Sequence, residues 1–205
     1  TYTGGITLGQ ASAAATMGSA ARFSGASGTY VNLGTPFHVG DSMTVEAWVN
    51  LDAAANKAFH SAVARWSGSY ELDVNQGDGV GNFVAFNNSG TFVNTATAPF
   101  SRGVWHHLVG VFDGTGGTAT VYLDGVQGTS ETIGGLLQNA GTTMFIGATR
   151  DGVANGYNWT GLIDEVAFYD RALTAEEIQS HYQAAVGGPA GDDYASATRS
   201  PALSG

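Results

Sequence analysis

The dominant signal along the chain is a two-residue alternation of apolar and polar positions. It is cleanest over 43–50, with Met43, Val45, Ala47 and Val49 on one face and Thr44, Glu46, Trp48 and Asn50 on the other. That is the pattern of a half-buried strand. Comparable runs occupy 20–24, 29–33, 59–65, 69–75, 82–87, 105–113, 119–124, 143–148 and 162–169. Turn-forming residues punctuate them: Gly25 to Gly28, Gly77 to Gly81, Asp113 to Gly117, and Asp124-Gly125. The last pair joins Thr120-Val121-Tyr122-Leu123 to Val126. It is the strongest hairpin signal in the chain, because Asp-Gly supplies the positive φ that a tight turn needs. About ten short strands with dense turns predict an all-β fold, a two-sheet antiparallel sandwich.

One segment reads differently. Thr174 suits an N-cap, and Glu177 three residues later completes a capping box. Leu173 and Ile178 occupy the two staple positions around that cap, Ile178, Tyr182, Ala185 and Val186 form one stripe, and Gly187 supplies the stop. A short C-terminal helix is therefore predicted over 175–186, packed against the sandwich. Beyond it, Gly187-Gly188-Pro189-Ala190-Gly191 and the small polar residues that follow carry no periodicity. The reading is one domain over 1–186 and a Gly/Pro/Ser-rich linker or tail over 187–205.

Composition narrows the possible partners. Charged residues make up 12% of the chain and there are 31 glycines, so the surface is made polar by Thr, Ser, Asn and Gly. Seven basic residues against seventeen acidic ones give a net charge of −10, and Lys57 is the only lysine. A nucleic-acid groove needs clustered Lys and Arg, and the arginines here are scattered, so nucleic acid is excluded. An anionic membrane surface is disfavoured for the same reason. No apolar run approaches the ~18 residues that cross a bilayer, so membrane insertion is not expected. Residues 1–20 show no basic start followed by an apolar stretch, hence no visible signal peptide. The absence of cysteine removes disulfides, zinc–thiolate sites and thiol nucleophiles.

Several segments together resemble a laminin-G-like, concanavalin A-like jelly-roll domain of the pentraxin-related lectin superfamily. They are Ala21-Arg22-Phe23-Ser24-Gly25, Tyr30-Val31-Asn32-Leu33, the run over 43–49, Trp105-His106-His107-Leu108-Val109, Val121-Tyr122-Leu123-Asp124-Gly125 and Phe145-Ile146-Gly147. The most specific is Gly161-Leu162-Ile163-Asp164-Glu165-Val166-Ala167-Phe168-Tyr169-Asp170-Arg171-Ala172-Leu173, followed by the capped helix. The resemblance implies a jelly roll at the cell surface or outside the cell. The expected role is a non-catalytic, calcium-stabilised recognition module that binds carbohydrate or a surface polymer. It also implies an aromatic-rich strand ahead of Thr1, and likens Gly191-Asp192-Asp193-Tyr194-Ala195-Ser196-Ala197 to the lead-in of another copy. The chain is thus expected to be one unit of a larger extracellular bacterial protein, with an open sheet edge that recruits a strand. From this follows an alternative: a self-assembling subunit or repeat of a surface adhesin or filament. A glycoside hydrolase or lyase is the third reading.

Three places carry candidate chemistry. Glu71-Leu72-Asp73-Val74 is similar to the E-x-D-x-x-E motif of concanavalin-like glycan hydrolases, but Asn75 and Gln76 follow where a second proton-shuttling carboxylate is needed. An ordinary solvent-facing strand is the expectation there, and no enzyme activity. Alternation over 162–168 puts Asp164 beside Leu162, Val166 and Phe168 on the apolar face. An inward carboxylate must be partnered. The partner is either Ca²⁺, or backbone N–H groups, or Arg22 or Arg171. The loop 150–159 is the most ligand-like segment: Tyr157 and Trp159 offer stacking faces, and Asp151, Asn155 and Asn158 offer hydrogen bonds and calcium oxygens. The other reading of this loop is a Gly/Asn turn whose aromatics form a lid on the sandwich. By resemblance to pentraxin-type lectins, Asp151 also falls at an acidic calcium position. Adjacent His106 and His107 point to opposite faces of a strand and share no metal, and His38, His60 and His181 add no ligand spacing. Trp66, Tyr70 and Phe92 could line a sugar face, although strand aromatics are more often core.

Overall fold

The alternating run over 43–50 becomes a central strand, and the other runs assemble around it. The computed structural model describes residues 1–35, 41–65, 69–75, 77, 79–138, 143–149 and 157–187. In chain order its strands begin with β1 (Tyr2–Thr3), β2 (Ile6–Ala11), β3 (Ser19–Ser24), β4 (Tyr30–Gly34), β5 (Met43–Leu51), β6 (Phe59–Arg65) and β7 (Tyr70–Asn75). There follow β8 (Val80–Phe86), β9 (Phe92–Asn94), β10 (His106–Asp113), β11 (Thr118–Leu123), β12 (Val126–Thr132), β13 (Met144–Ile146) and β14 (Thr160–Tyr169). The helix α1 (Ala175–Val186) closes the described chain. One sheet has the order β1-β4-β13-β6-β7-β8-β9 and the other β12-β11-β10-β5-β14-β3-β2. All pairings within them are antiparallel.

The two inner faces interdigitate in one apolar core that includes Val45, Val49, Leu72, Phe83, Leu108, Phe112, Val121 and Trp159. Strand β5 is buried on both faces, not one. The reason is α1, which covers the outer face of the second sheet. Leu173 and Ile178 pack there against Val109, Val111 and Tyr122 in a second cluster. The helix is set by the predicted cap: Thr174 Oγ1 accepts from Glu177 N (3.2 Å), and Thr174 N donates to Glu177 Oε2 (2.9 Å). Gly187 ends it at φ 70° and ψ 56°, a left-handed turn that suits glycine. The reading of 188–205 as a linker lies outside the described residues. No helix among the described residues is long and apolar enough to cross a membrane.

Strand β14 departs from simple alternation. Its register shifts between Asp164 and Ala167, and Glu165 stands at φ 45°. This bulge resets the two-residue period midway along the strand. Ile163 therefore faces the core before the bulge, Val166 and Phe168 pack against it afterwards, and Asp164 pairs across from Trp48 on the outer face. The expectation that Asp164 sits beside Leu162, Val166 and Phe168 on one apolar face is corrected by that one inserted residue.

Candidate binding face

On β7, alternation sends Tyr70, Leu72 and Val74 into the core and turns Glu71 and Asp73 to the other side of the sheet. Register sets Ser61 of β6 and Asn82 of β8 beside Asp73, and Asn82 Nδ2 donates to Asp73 Oδ1 (3.0 Å). The expected solvent-facing strand is not what forms: Glu71 and Asp73 are each only 3% exposed. Burial pushes the Asp73 carboxyl up to about 7, outweighing the bond from Asn82, which pulls it down. An acid whose folded pKa is raised is progressively destabilising as pH climbs from its unfolded value of 3.8 towards 7. Asp73→Asn, which keeps an oxygen for Asn82, is therefore expected to raise stability at pH 8 by on the order of 1–2 kcal/mol. Below pH 4 the gain should vanish. Urea unfolding at both pH values checks this, and no gain at pH 8 overturns it.

At one end of this face the surface becomes accessible and aromatic. Phe59, opposite Asn75 in the β6–β7 register, meets the Tyr157 ring at 5.1 Å and an interplanar angle of 63°. Both rings are half-buried. Main-chain pairing fixes Tyr157: Ser61 N donates to its carbonyl (2.9 Å), and Ser61 bridges to Asn158. Asn158 is buried beneath. Its side-chain amide donates to Thr29 O (3.3 Å), and its carbonyl accepts from Lys57 Nζ (3.5 Å) and from His60 Nδ1 (3.3 Å). Burial, with the nearby Lys57 and Arg102 charges, drives His60 down to about 4 despite the Asn158 carbonyl, so its ring is neutral. Trp159 is 0% exposed, and its Nε1 donates to Leu162 O (3.2 Å). A ring with no exposed face cannot stack on a ligand; Trp159 is core. Of the sequence candidates, the fold thus gathers Tyr157 and Asn158 at one end of the sheet, one accessible and one supporting. Asp151 and Asn155 lie outside the described residues, as do Trp66 and His38. Tyr70 is buried core, and Phe92 sits exposed on edge strand β9 against Phe86 (5.6 Å).

Sequence reasoning missed a second polar cluster, under α1. Glu46 accepts from Tyr169 OH (2.7 Å), His181 Nδ1 (3.0 Å) and His107 Nε2 (3.3 Å). Above it, the Trp48 ring is stacked on both His107 (5.2 Å) and Tyr182 (5.8 Å). Burial pushes the Glu46 carboxyl up, but the hydrogen bonds from His107, His181 and Tyr169 outweigh it and hold the group down at about 2. His107 Nδ1 is buried without a partner, which fits a neutral ring donating from Nε2. The signal was present as Glu46 and His107 on neighbouring strands, but nothing local tied them to a helix 135 residues from Glu46. His106 faces the opposite way, bonded to Asp124 Oδ2 (2.7 Å) and Ser101 O (3.1 Å).

Asp164 has protein partners. Ser12 Oγ donates to its Oδ2, and the Glu165 amide donates to its Oδ1 (3.0 Å). Arg22 and Arg171 pair elsewhere, with Asp52 (2.5 Å) and Glu177 (2.7 Å). Among the described residues no three acidic or histidine side chains converge as metal ligands. A calcium shell of six to eight oxygens at Asp164 would therefore draw on carbonyls or on residues outside those described.

The family described as the concanavalin A-like lectin/glucanases superfamily matches this chain over residues 24–179. Domain 4 of AbnA, an extracellular arabinanase of family GH43 from Geobacillus stearothermophilus, solved with arabinotriose, superposes with a TM-score of 0.68 at 21% identity. That match covers 88% of this chain and 82% of the domain. The binding domain of botulinum neurotoxin serotype G gives a TM-score of 0.70 at 12% identity, over 90% of this chain and 46% of that one. At such identities the likeness is one of fold. A rat protein, the sushi, von Willebrand factor type A, EGF and pentraxin domain-containing protein 1, is 28% identical over 85 residues, covering 38% of this chain. The match spans 2% of that protein's length.

Proposed function

The chain belongs to the concanavalin A-like lectin/glucanases superfamily, and from that premise we propose that it is a non-catalytic recognition module, acting outside the cell, that binds glycan or a surface polymer. The observation that carries this reading is the half-exposed Phe59–Tyr157 pair at the open end of a sheet face whose interior is polar. Aromatic faces take the apolar face of a sugar ring, and neighbouring amides and carboxylates take its hydroxyls. The loop over 150–156, with Asp151 and Asn155, adjoins Tyr157 in sequence and supplies such groups. The AbnA domain, solved with arabinotriose, favours an arabino-oligosaccharide as the first ligand to try.

A hydrolytic role is disfavoured by burial. A retaining pair must reach the glycosidic bond from two carboxylates about 5 Å apart, whereas Glu71 and Asp73 are sealed and Asn75 follows them.

Glycan-array screening followed by calorimetric titration tests the proposal. The wild type should bind at least one glycan, and Tyr157→Ala or Phe59→Ala should weaken it tenfold or more with folding intact. Trp159→Phe should leave affinity within twofold. No glycan bound, or equal affinity in Tyr157→Ala, overturns it. Calcium is part of this reading through Asp151 and Asp164. Chelation should lower the melting temperature by several degrees, since an ion bound only to the folded chain stabilises it. An unchanged melting curve would remove calcium from the account.

A further inference from the structure

The two ends of the sandwich are finished differently. At the β12 edge the layers are stitched by main chain: Thr129 N donates to Ala96 O (2.9 Å), and Ala96 N donates to Thr129 Oγ1 (2.9 Å). At the other edge, where β1 and β2 are the last strands of their sheets, a cleft of about 390 Å³ runs in between the layers. Phe23, Val31, Ile146 and Ile163 line its apolar interior. Tyr2 and Leu8 stand at its mouth, 61% and 59% exposed. Asp164 and Glu165 line it too, and no cationic side chain does.

We propose that this cleft is a docking site for an extended segment of a separate polypeptide, one that presents a large apolar side chain next to a lysine or arginine. Three features select that occupant. Strands β1 and β2 each have one neighbour, so each offers an unpaired main-chain edge, and such an edge takes another strand. The interior residues and the exposed Tyr2 and Leu8 form one contiguous apolar surface, a signature of an interaction site. The volume suits one or two large side chains. The third feature is charge. Asp164 and Glu165 face an occupant with no compensating cation in the lining, and the nearby Arg22 is held by Asp52 (2.5 Å). The bulge that places Glu165 at φ 45° costs backbone strain, and it sets two carboxylates side by side at this edge.

The test is fluorescence anisotropy with a labelled ten-residue peptide of alternating threonine and valine carrying a central phenylalanine followed by lysine. Saturable binding is expected. It should weaken tenfold or more when the lysine becomes glutamate, or when the amides flanking the phenylalanine are N-methylated. Leu8→Asp, an exposed position, should abolish binding without loss of folding or of glycan affinity, and Glu165→Gln should weaken it several-fold. The proposal fails if no peptide of the series binds, or if binding ignores N-methylation and Leu8→Asp. It also fails if hexylamine competes as well as the peptide, which would mark a site for small amphiphiles. Self-association of the chain that Leu8→Asp abolishes, without peptide binding, would give the cleft to a second copy and overturn it too.

Discussion

Glu46→Ala is expected to lower folding stability by about 3 kcal/mol at pH 7, because it strips the buried acceptor from three donors at once. Tyr169 OH, His107 Nε2 and His181 Nδ1 all converge on this carboxylate, and His107 is already short of one partner. The loss falls on the contact between α1 and the second sheet, so amide exchange in α1 should accelerate more than in β7. The acid limb carries a second signature. Glu46 titrates near 2 in the folded chain, below its ordinary 4.5. A carboxyl with a depressed folded pKa contributes stability that is complete above the unfolded value and drains away as pH falls through the folded one. Wild-type stability should therefore fall steeply between pH 4.5 and 2, and the variant's curve should be flatter across that window. Equal slopes would mean that the Glu46 cluster does not govern the acid limb. Glu46 and Asp73 are both buried carboxylates, and their opposite shifts follow from three donors at one and a single amide at the other.

Gly161→Ala is the most disruptive single-atom change expected. Gly161 lies at φ 141°, and a Cβ there would fall 2.1 Å from Asn50 O and 3.0 Å from Asp52 N. Both obstacles are main chain of the neighbouring strand segment, so neither can rotate aside. The β14–β5 pairing is the scaffold for Trp159 on one side of Gly161 and Ile163 on the other. A loss of about 4 kcal/mol or more is expected, enough to prevent folding at ordinary stability. Gly90→Ala is the matched control: φ is 80°, but nothing lies within 4 Å of the added carbon. It should cost only about 1 kcal/mol from backbone strain. Comparable melting temperatures for the two variants would contradict the steric account.

These residues also mark what could be read from sequence. The alternating runs gave the inner strands correctly, since Val45, Leu72 and Leu108 must be buried whichever strand lies beside them. Thr174 and Glu177 fixed the helix through contacts three residues apart. Edge strands β1, β2, β9 and β12 were passed over because they are short or polar on both sides. Asp164 was placed on the wrong face because one inserted residue at Glu165 changes the phase of β14, and no local pattern announces a bulge. Trp159 was taken for a stacking ring because its neighbours Asn158 and Tyr157 read as loop. It is instead the first residue whose side chain returns to the core. The Glu46 cluster escaped notice for a different reason: its partners arrive from three elements far apart in the chain.

The central claim is that the Phe59–Tyr157 end of the first sheet is where a glycan is held. The direct measurement is an NMR titration of the isotopically labelled chain with the best glycan from the array. Shift changes should concentrate at Phe59, Ser61, Asn75 and Tyr157, and should be absent around Leu8 and Ile146 in the opposite cleft. Shifts that instead cluster on that cleft or on α1, with Phe59 and Tyr157 unmoved, would contradict it.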